Sequence, residues 1–250
     1  MFLIAHPMER DLTVLDPLGW EAVKKSLNQR VVVVREKLLP SKKNRVWAVE
    51  TDVRPVIVKR SLSGRAGAEF ETLVRARNAG LDVPLPLMIS NDYIVMEYLA
   101  GDSCELMINH MFSVETARNL GIWLARYHSI MGDEDRKFAM NDAVLSNFIV
   151  SDGRVYGFDL EDSSAGDPLD DLGQLSSSIL GSEPYFTPIK FDLCYRLLES
   201  YEGRTGANVR ESVRPYVAKH LKRSAQNKPI FRRTYADVAD SIVKGWPKLA

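Results

Sequence analysis

Asp142 and Asn147 stand close together in MNDAVLSNFIV, directly before an apolar run. A carboxylate at such a place can orient a hydroxyl and take its proton, and a neutral amide oxygen nearby can ligate a hard cation such as magnesium. Asp159 closes the next apolar run, in VYGFDLED. Aspartate is a poor strand former and costly to bury without a partner or a metal, so its place between Phe158 and Leu160 marks it as a second oxygen ligand. Lys59 ends the apolar strand VIVK, where an ammonium can hold the phosphates of a nucleotide. A buried lysine needs a carboxylate to keep its charge and position. Glu69, on the following helix and one turn before Leu73, is preferred for this over Glu71. Each residue alone has a plain structural reading: a strand-end lysine, a surface glutamate, a capping aspartate, a turn asparagine. The order strand lysine, helix glutamate, Asp-x-x-x-x-Asn, hairpin, aspartate is specific only when taken together, as a set that could hold phosphates, a hard cation and a hydroxyl. Asp171, in GDPLDDLGQL, either braces the Asp142 loop by accepting backbone amides or serves only as a helix cap. His128, in RYHSI, is read as a helix-face histidine packed near that loop rather than as a base.

These residues need scaffolds. Asp16-Pro17 followed by LGWEAVKKSLNQR predicts a short helix, with Asp16 as cap and Pro17 in the first turn. VVVVREKLL, VWAVETD and RPVIVKRSL predict three strands joined by short turns, an antiparallel meander that ends near Lys59. Ala66 to Ala79 has helical spacing and Gly80 as its stop. LDVPLPLMI reads as extended because each proline disfavours helix in the residue before it, and DYIVMEYL is another strand. Beyond Gly101 the character changes. Ser113 caps a long helix whose Leu120, Trp123, Leu124 and Tyr127 face a core. FIV and VYGF flank Asp152-Gly153, a pair suited to a two-residue hairpin turn. After Asp171 the chain reads as helical to its end, interrupted at Gly181 to Pro188 and near Lys228-Pro229. The expected class is α+β: an antiparallel β-sheet lobe with one helix over residues 1–100 and a mainly α lobe over 101–250.

Composition sets wide bounds. The chain has 250 residues and a formal net charge of +0, so no global field points to nucleic acid or a membrane. The stretch from Asp152 to Asp171 is acidic and the last fifty residues lean basic, which reads as a solvated helix face. A contact of that basic region with RNA or a protein-complex partner stays open, since no aromatic-basic pattern supports it. Cys104 and Cys194 have no metal-ligand spacing, so neither a disulfide framework nor a zinc site is expected. MFLIAHPMER has too short an apolar run for a signal peptide, no stretch spans a bilayer, and a cytoplasmic location is expected. Neither the phosphate-binding loop G-x-x-x-x-G-K-[ST] nor the dinucleotide fingerprint G-x-G-x-x-G occurs.

From about Val31 to Leu175 the pattern resembles the protein-kinase-like superfamily. VPLPLMISNDYIVMEYLAGD is similar to the linker region of the small kinase of the KEOPS complex, of lipopolysaccharide (Kdo) kinases and of RIO-type kinases. FDLEDSSAGDPLDDLGQL is similar to aminoglycoside and choline phosphotransferases. The resemblance implies a bilobal kinase fold, ATP and Mg2+ as cofactors, Asp142 as catalytic residue, Asn147 and Asp159 as metal ligands, and Lys59 with Glu69 at the phosphates. It also implies nucleotide contacts at the linker residues Met96, Glu97 and Tyr98. The departures are specific. The turn LLPSKKNR has no glycine, so phosphate contact there falls to Ser41, Lys42, Lys43 or backbone amides. The usual His-Gly-Asp reads Met140-Asn141-Asp142, and no long activation segment follows Asp159-Leu160-Glu161. The leading expectation is an atypical serine/threonine protein kinase or kinase-like ATPase, with a protein hydroxyl as acceptor. The alternatives are a small-molecule phosphotransferase and a pseudokinase binding module. A small-molecule enzyme is expected to carry an enclosed acidic pocket beside Asp142.

Overall fold

A computed structural model describes residues 14–27, 30–133 and 135–247. The decapeptide MFLIAHPMER and the Asn28-Gln29 end of the expected first helix lie outside those residues. The chain divides into two units, Met1–Phe70 with Leu85–Tyr98, and Glu71–Pro84 with Leu99–Ala250.

In the first unit, Asp16 caps helix α1 (Pro17–Ser26) and accepts the Gly19 amide at 3.0 Å. Strands β1 (Val33–Leu39), β2 (Arg45–Thr51) and β3 (Val56–Arg60) form the meander. Helix α2 (Ala66–Asn78) starts in this unit and continues in the other. Strands β4 (Pro86–Ser90) and β5 (Tyr93–Glu97) complete an antiparallel sheet of order β1-β2-β3-β5-β4. Period-two alternation assigns the two faces. Trp47, Val49, Val56, Val58 and Val95 are buried with Ala22 and Val23 of α1. Lys59, one step out of that phase and opposite Val46 and Ile94, points to the other face.

In the second unit come β6 (Asp102–Ser103), α3 (Cys104–Asn109), α4 (Val114–Met131) and β7 (Phe138–Ala139). A 3-10 turn at Leu145–Asn147 leads into the hairpin β8 (Phe148–Ser151) and β9 (Arg154–Gly157), followed by β10 (Ser164–Ala165). Helices α5 (Pro168–Leu180), α6 (Pro188–Thr205), α7 (Arg214–Gln226) and α8 (Arg232–Lys244) form the rest. Ser113 caps α4, and Leu120, Trp123, Leu124 and Tyr127 are each no more than 2% exposed. A Cβ on Gly121 would lie 2.1 Å from the Leu197 carbonyl oxygen, so glycine permits the close approach of α4 to α6.

Two features depart from the sequence reading. The helical stretch after Asp171 has a further break, where Gly206 ends α6 in the left-handed region at φ 73°. Helix α3, too short for a periodic signal, was not expected from the sequence; Ser103 caps it through the Leu106 amide. Among the described residues no helix is long and apolar enough to cross a membrane.

Candidate active site

The first unit holds the lysine–glutamate pair. Lys59 Nζ lies 2.8 Å from Glu69 Oε1 and 2.8 Å from Oε2, and the two residues are 5% and 1% exposed. Glu71 is exposed, so helical phase selects Glu69, as the sequence reading preferred. In so dry a position each charge has an opposite one beside it. Ser41 and Lys42 lie in the exposed turn between β1 and β2. The Ser41 hydroxyl accepts the Asn44 amide at 3.2 Å, and Asn44 Oδ1 accepts the Leu62 amide just after β3. Met96 is buried and pairs with Ile57. Glu97 is committed to Leu85: its amide donates to the Leu85 carbonyl at 2.9 Å and its carboxylate accepts the Leu85 amide at 3.0 Å. Tyr98 is 42% exposed.

The second unit holds the other trio. Asn147 Nδ2 donates to the Asp142 carbonyl at 2.9 Å and to Asp142 Oδ2 at 3.3 Å. Those bonds fix the amide with its Oδ1 turned away from Asp142. The Asp152-Gly153 turn, with φ of 48° and 72°, closes the hairpin and sets Phe148 opposite Gly157. The ladder is extended one step by Phe158 N donating to the Asn147 carbonyl at 3.0 Å, which brings Asp159 next to the loop. Asp159 has φ 60°, a left-handed conformation that a short polar side chain tolerates. A Cβ on Gly157 would sit 2.3 Å from the Trp123 ring. The Asp82 carbonyl accepts both Trp123 Nε1 at 2.7 Å and the Gly157 amide at 3.1 Å. Helix α4 and the hairpin are therefore fastened at one atom.

Asp171 braces the loop. It is fully buried and accepts the Met140 amide at 2.6 Å and the Asn141 amide at 2.9 Å. Asp167 is the cap of α5, so the two roles left open for Asp171 fall to two different aspartates. His128 Nε2 lies 2.9 Å from Asp171 Oδ2, and its Nδ1 lies 3.0 Å from the Tyr201 hydroxyl. The histidine is a structural link, as expected. Asn141 adopts φ 61°, which asparagine tolerates better than most residues. Its Nδ2 donates to the Asp162 carbonyl at 3.0 Å and lies 2.9 Å from Ser164 Oγ.

Two loop-holding residues escaped the sequence reading. Gln174 Nε2 donates to Asp142 Oδ1 at 3.3 Å while its Oε1 accepts the Ala143 amide at 3.2 Å. Ser178 accepts the Leu145 amide at 3.2 Å. With Asp171 they fall at helical spacing on one face of α5, a periodic polar stripe that was present in the sequence.

That stripe borders a groove of about 620 Å³ lined by α3, α5, α7 and the chain between α5 and α6. Serines 177, 178, 182 and 224 and Asn109 give it hydroxyl and amide groups. Its carboxylates are Glu105 and Glu183, both exposed; its cations are Arg223 and Lys228. The acidic enclosure expected of a small-molecule enzyme is therefore not what stands here. α7 and the loop after it supply basic residues to the groove.

The oxygen donors of Asn147 and Asp159 suit a hard divalent cation that keeps several waters. Asn147 satisfies this on its own geometry, since its amide nitrogen is consumed by Asp142 and the remaining atom is an oxygen.

A model of the phosphotransferase enzyme family, APH, matches residues 37–145. No curated protein matches the sequence. Solved structures do match in fold. The amicoumacin kinase hAmiN, in complex with AMP-PNP, Ca2+ and Ami, is 13% identical; the match covers 82% of this chain and 88% of that one, with TM-score 0.62. The streptomycin–ATP complex of APH(2")-IIa is 15% identical over 92% of this chain and 99% of that one, with TM-score 0.61. A choline/ethanolamine kinase family protein from Mesorhizobium loti is 18% identical over 84% and 87%, with TM-score 0.57. The chain has the protein-kinase-like fold of these proteins. The matched segment, residues 37–145, points to a phosphotransferase enzyme.

Proposed function

We propose that this protein transfers the γ-phosphate of ATP, with magnesium, to a hydroxyl of a small molecule. The observation that carries the reading is the trio on one braced loop and hairpin: Asp142 bonded to Asn147, and Asp159 delivered beside them by the β8–β9 ladder. In the reaction the acceptor hydroxyl oxygen bonds to the γ-phosphorus. The bond from that phosphorus to the β,γ-bridging oxygen breaks, its electrons leave with ADP, and the hydroxyl proton passes to the Asp142 carboxylate. Gln174 and Asn147 hold Asp142 in place for the hydroxyl. Asn147 and Asp159 would hold magnesium, which supplies charge neutralisation at the phosphates. Lys59, paired with Glu69, is the proposed phosphate ligand of the first unit.

A small-molecule acceptor is preferred to the protein hydroxyl of the leading sequence expectation. The family match and the aminoglycoside and choline kinase neighbours favour it. So does a polar groove walled by the helix that positions Asp142. A pseudokinase role has no support in the geometry, since a scaffold does not need both proposed metal ligands in register.

The test is paired. Asp159→Asn should lower magnesium-dependent ATP turnover at least about a hundredfold, because a metal ligand is lost. Asp142→Asn should lose transfer to a comparable degree yet still bind Mg-ATP in a thermal-shift assay. Wild-type turnover in Asp159→Asn would falsify the reading.

A further inference from the structure

The groove beside the Asp142 loop has a charge layout that narrows the acceptor, on the reading that the protein is a small-molecule phosphotransferase. Its less exposed charges are cationic: Lys228 on the wall is half-buried, whereas Glu105, Glu183 and Arg223 are exposed. Lys190 is fully buried directly behind the wall; its Nζ hydrogen bonds to Asn109 Oδ1 and lies 3.2 Å from Ser182 Oγ, both lining residues. Neither hydrogen-bond partner carries charge, and the Glu105 carboxylate at the exposed rim compensates the ammonium only in part. Lys228 Nζ donates to the Gly181 carbonyl at 2.8 Å and to the Tyr235 hydroxyl at 2.8 Å, and sits 4.8 Å from the centroid of the Tyr185 ring. Those bonds use two of its three N–H donors. Arg223 on α7 also lines the groove.

The carboxylates offer less than their number suggests. Glu105 and Glu183 are exposed, where solvent screens them as it screens Arg223, while Lys228 is half-buried and Lys190 acts from a dry position. His220 on the wall is tied to Asp170 at 3.1 Å, and burial holds its pKa below the ordinary imidazole value, so it stands neutral. A polycation would meet buried positive charge. A quaternary ammonium would find one ring, Tyr185, which already faces Lys228. The serine and asparagine groups suit instead a ligand with many hydroxyls.

We propose that the groove takes the acceptor, and that the acceptor is a polyhydroxylated compound bearing one carboxylate or phosphate. Its anionic group lies towards Lys228 and Arg223, and a hydroxyl points along α5 towards Gln174 and Asp142.

The experiment uses the full chain with Mg-ATP and five probes: gluconate, glucose 6-phosphate, glucose, choline and gentamicin. ADP release and ligand-induced melting shifts are both read. Gluconate or glucose 6-phosphate should raise ADP release and the melting temperature; the two probes separate a carboxylate from a phosphate. Arg223→Glu, at an exposed helix position, should raise KM for the active anion at least tenfold with little change in kcat. Arg233→Glu, an equal charge change at an exposed position elsewhere on the surface, should not. Lys228→Met should act as Arg223→Glu does, and its melting temperature reports whether loss of its hydrogen bonds to Gly181 and Tyr235 has disturbed the fold. Binding of Mg-ATP without response to either anion, or a response only to gentamicin or choline, overturns this inference and leaves the phosphotransferase reading standing. Failure to bind Mg-ATP overturns that reading itself.

Discussion

Asp171 shows how much one side chain can fix. Its carboxylate is fully buried, yet it accepts two amides of the loop that carries Asp142 and meets the ring of His128. Truncation would leave one buried and one partly buried N–H group and an imidazole without their acceptor. Asp171→Ala should therefore cost about 2–4 kcal/mol of unfolding free energy in urea, on the cost of stranding buried donors. Asp171→Asn should recover part of that loss, since one amide oxygen can still accept. Equal stability for the Ala variant and the wild type would remove the bracing role. The residue types at 142, 147 and 159 were legible before any fold was known, because few structural reasons put an aspartate at the end of an apolar strand. Gln174 was not, because a helical glutamine between leucines and serines has no chemical signature until its partner is known.

At the scale of elements, the α5–α6 connection carries an unusual cost. Lys190 starts α6 with its ammonium buried, and desolvation lowers its pKa to about 8 from 10.5. The unfolded chain then binds more protons than the folded one between those values. Stability contributed at this site must rise with pH across that window, and the penalty is full below about 8. Unfolding free energies measured at pH 7.5 and pH 10 should show the wild type gaining relative to Lys190→Met. A parallel pair of curves would place Lys190 in a wetter site than its burial implies. The hairpin is the converse case, an element whose geometry the sequence declared. Asp152-Gly153 supplies the two positive φ angles that the turn needs, and the ladder then sets Asp159 one residue past Gly157. The extra break at Gly206 was also written in the chain, although a run of helix-forming residues on either side concealed it.

At the scale of the whole molecule, saturating magnesium and a non-hydrolysable ATP analogue should stabilise the folded chain. A hundredfold excess over Kd is worth about 2.7 kcal/mol, or a rise in Tm of about 5–10 °C at roughly 2–4 °C per kcal/mol for a chain of this size. Chelation of the metal should remove most of that rise. An unchanged Tm with nucleotide present would count against nucleotide binding altogether. The formal net charge of +0 offers no long-range field to collect a substrate, so discrimination has to come from local charge such as that of the groove.

The sequence by itself determined the local geometry: period-two strands, capped helices, the Asp152-Gly153 turn, and the order of the residues that do chemistry. Those depend on backbone sterics and on neighbours a few positions away, which a linear pattern records. Only the tertiary structure decided between Glu69 and Glu71, gave the cap to Asp167 and the brace to Asp171, and showed that the less exposed charges of the groove near Asp142 are cationic where an acidic pocket was expected. Those outcomes depend on burial and on residues up to about eighty positions apart, such as Lys190 and Asn109. A charge changes meaning when water is removed from around it, and no local pattern records which charges the fold will bury.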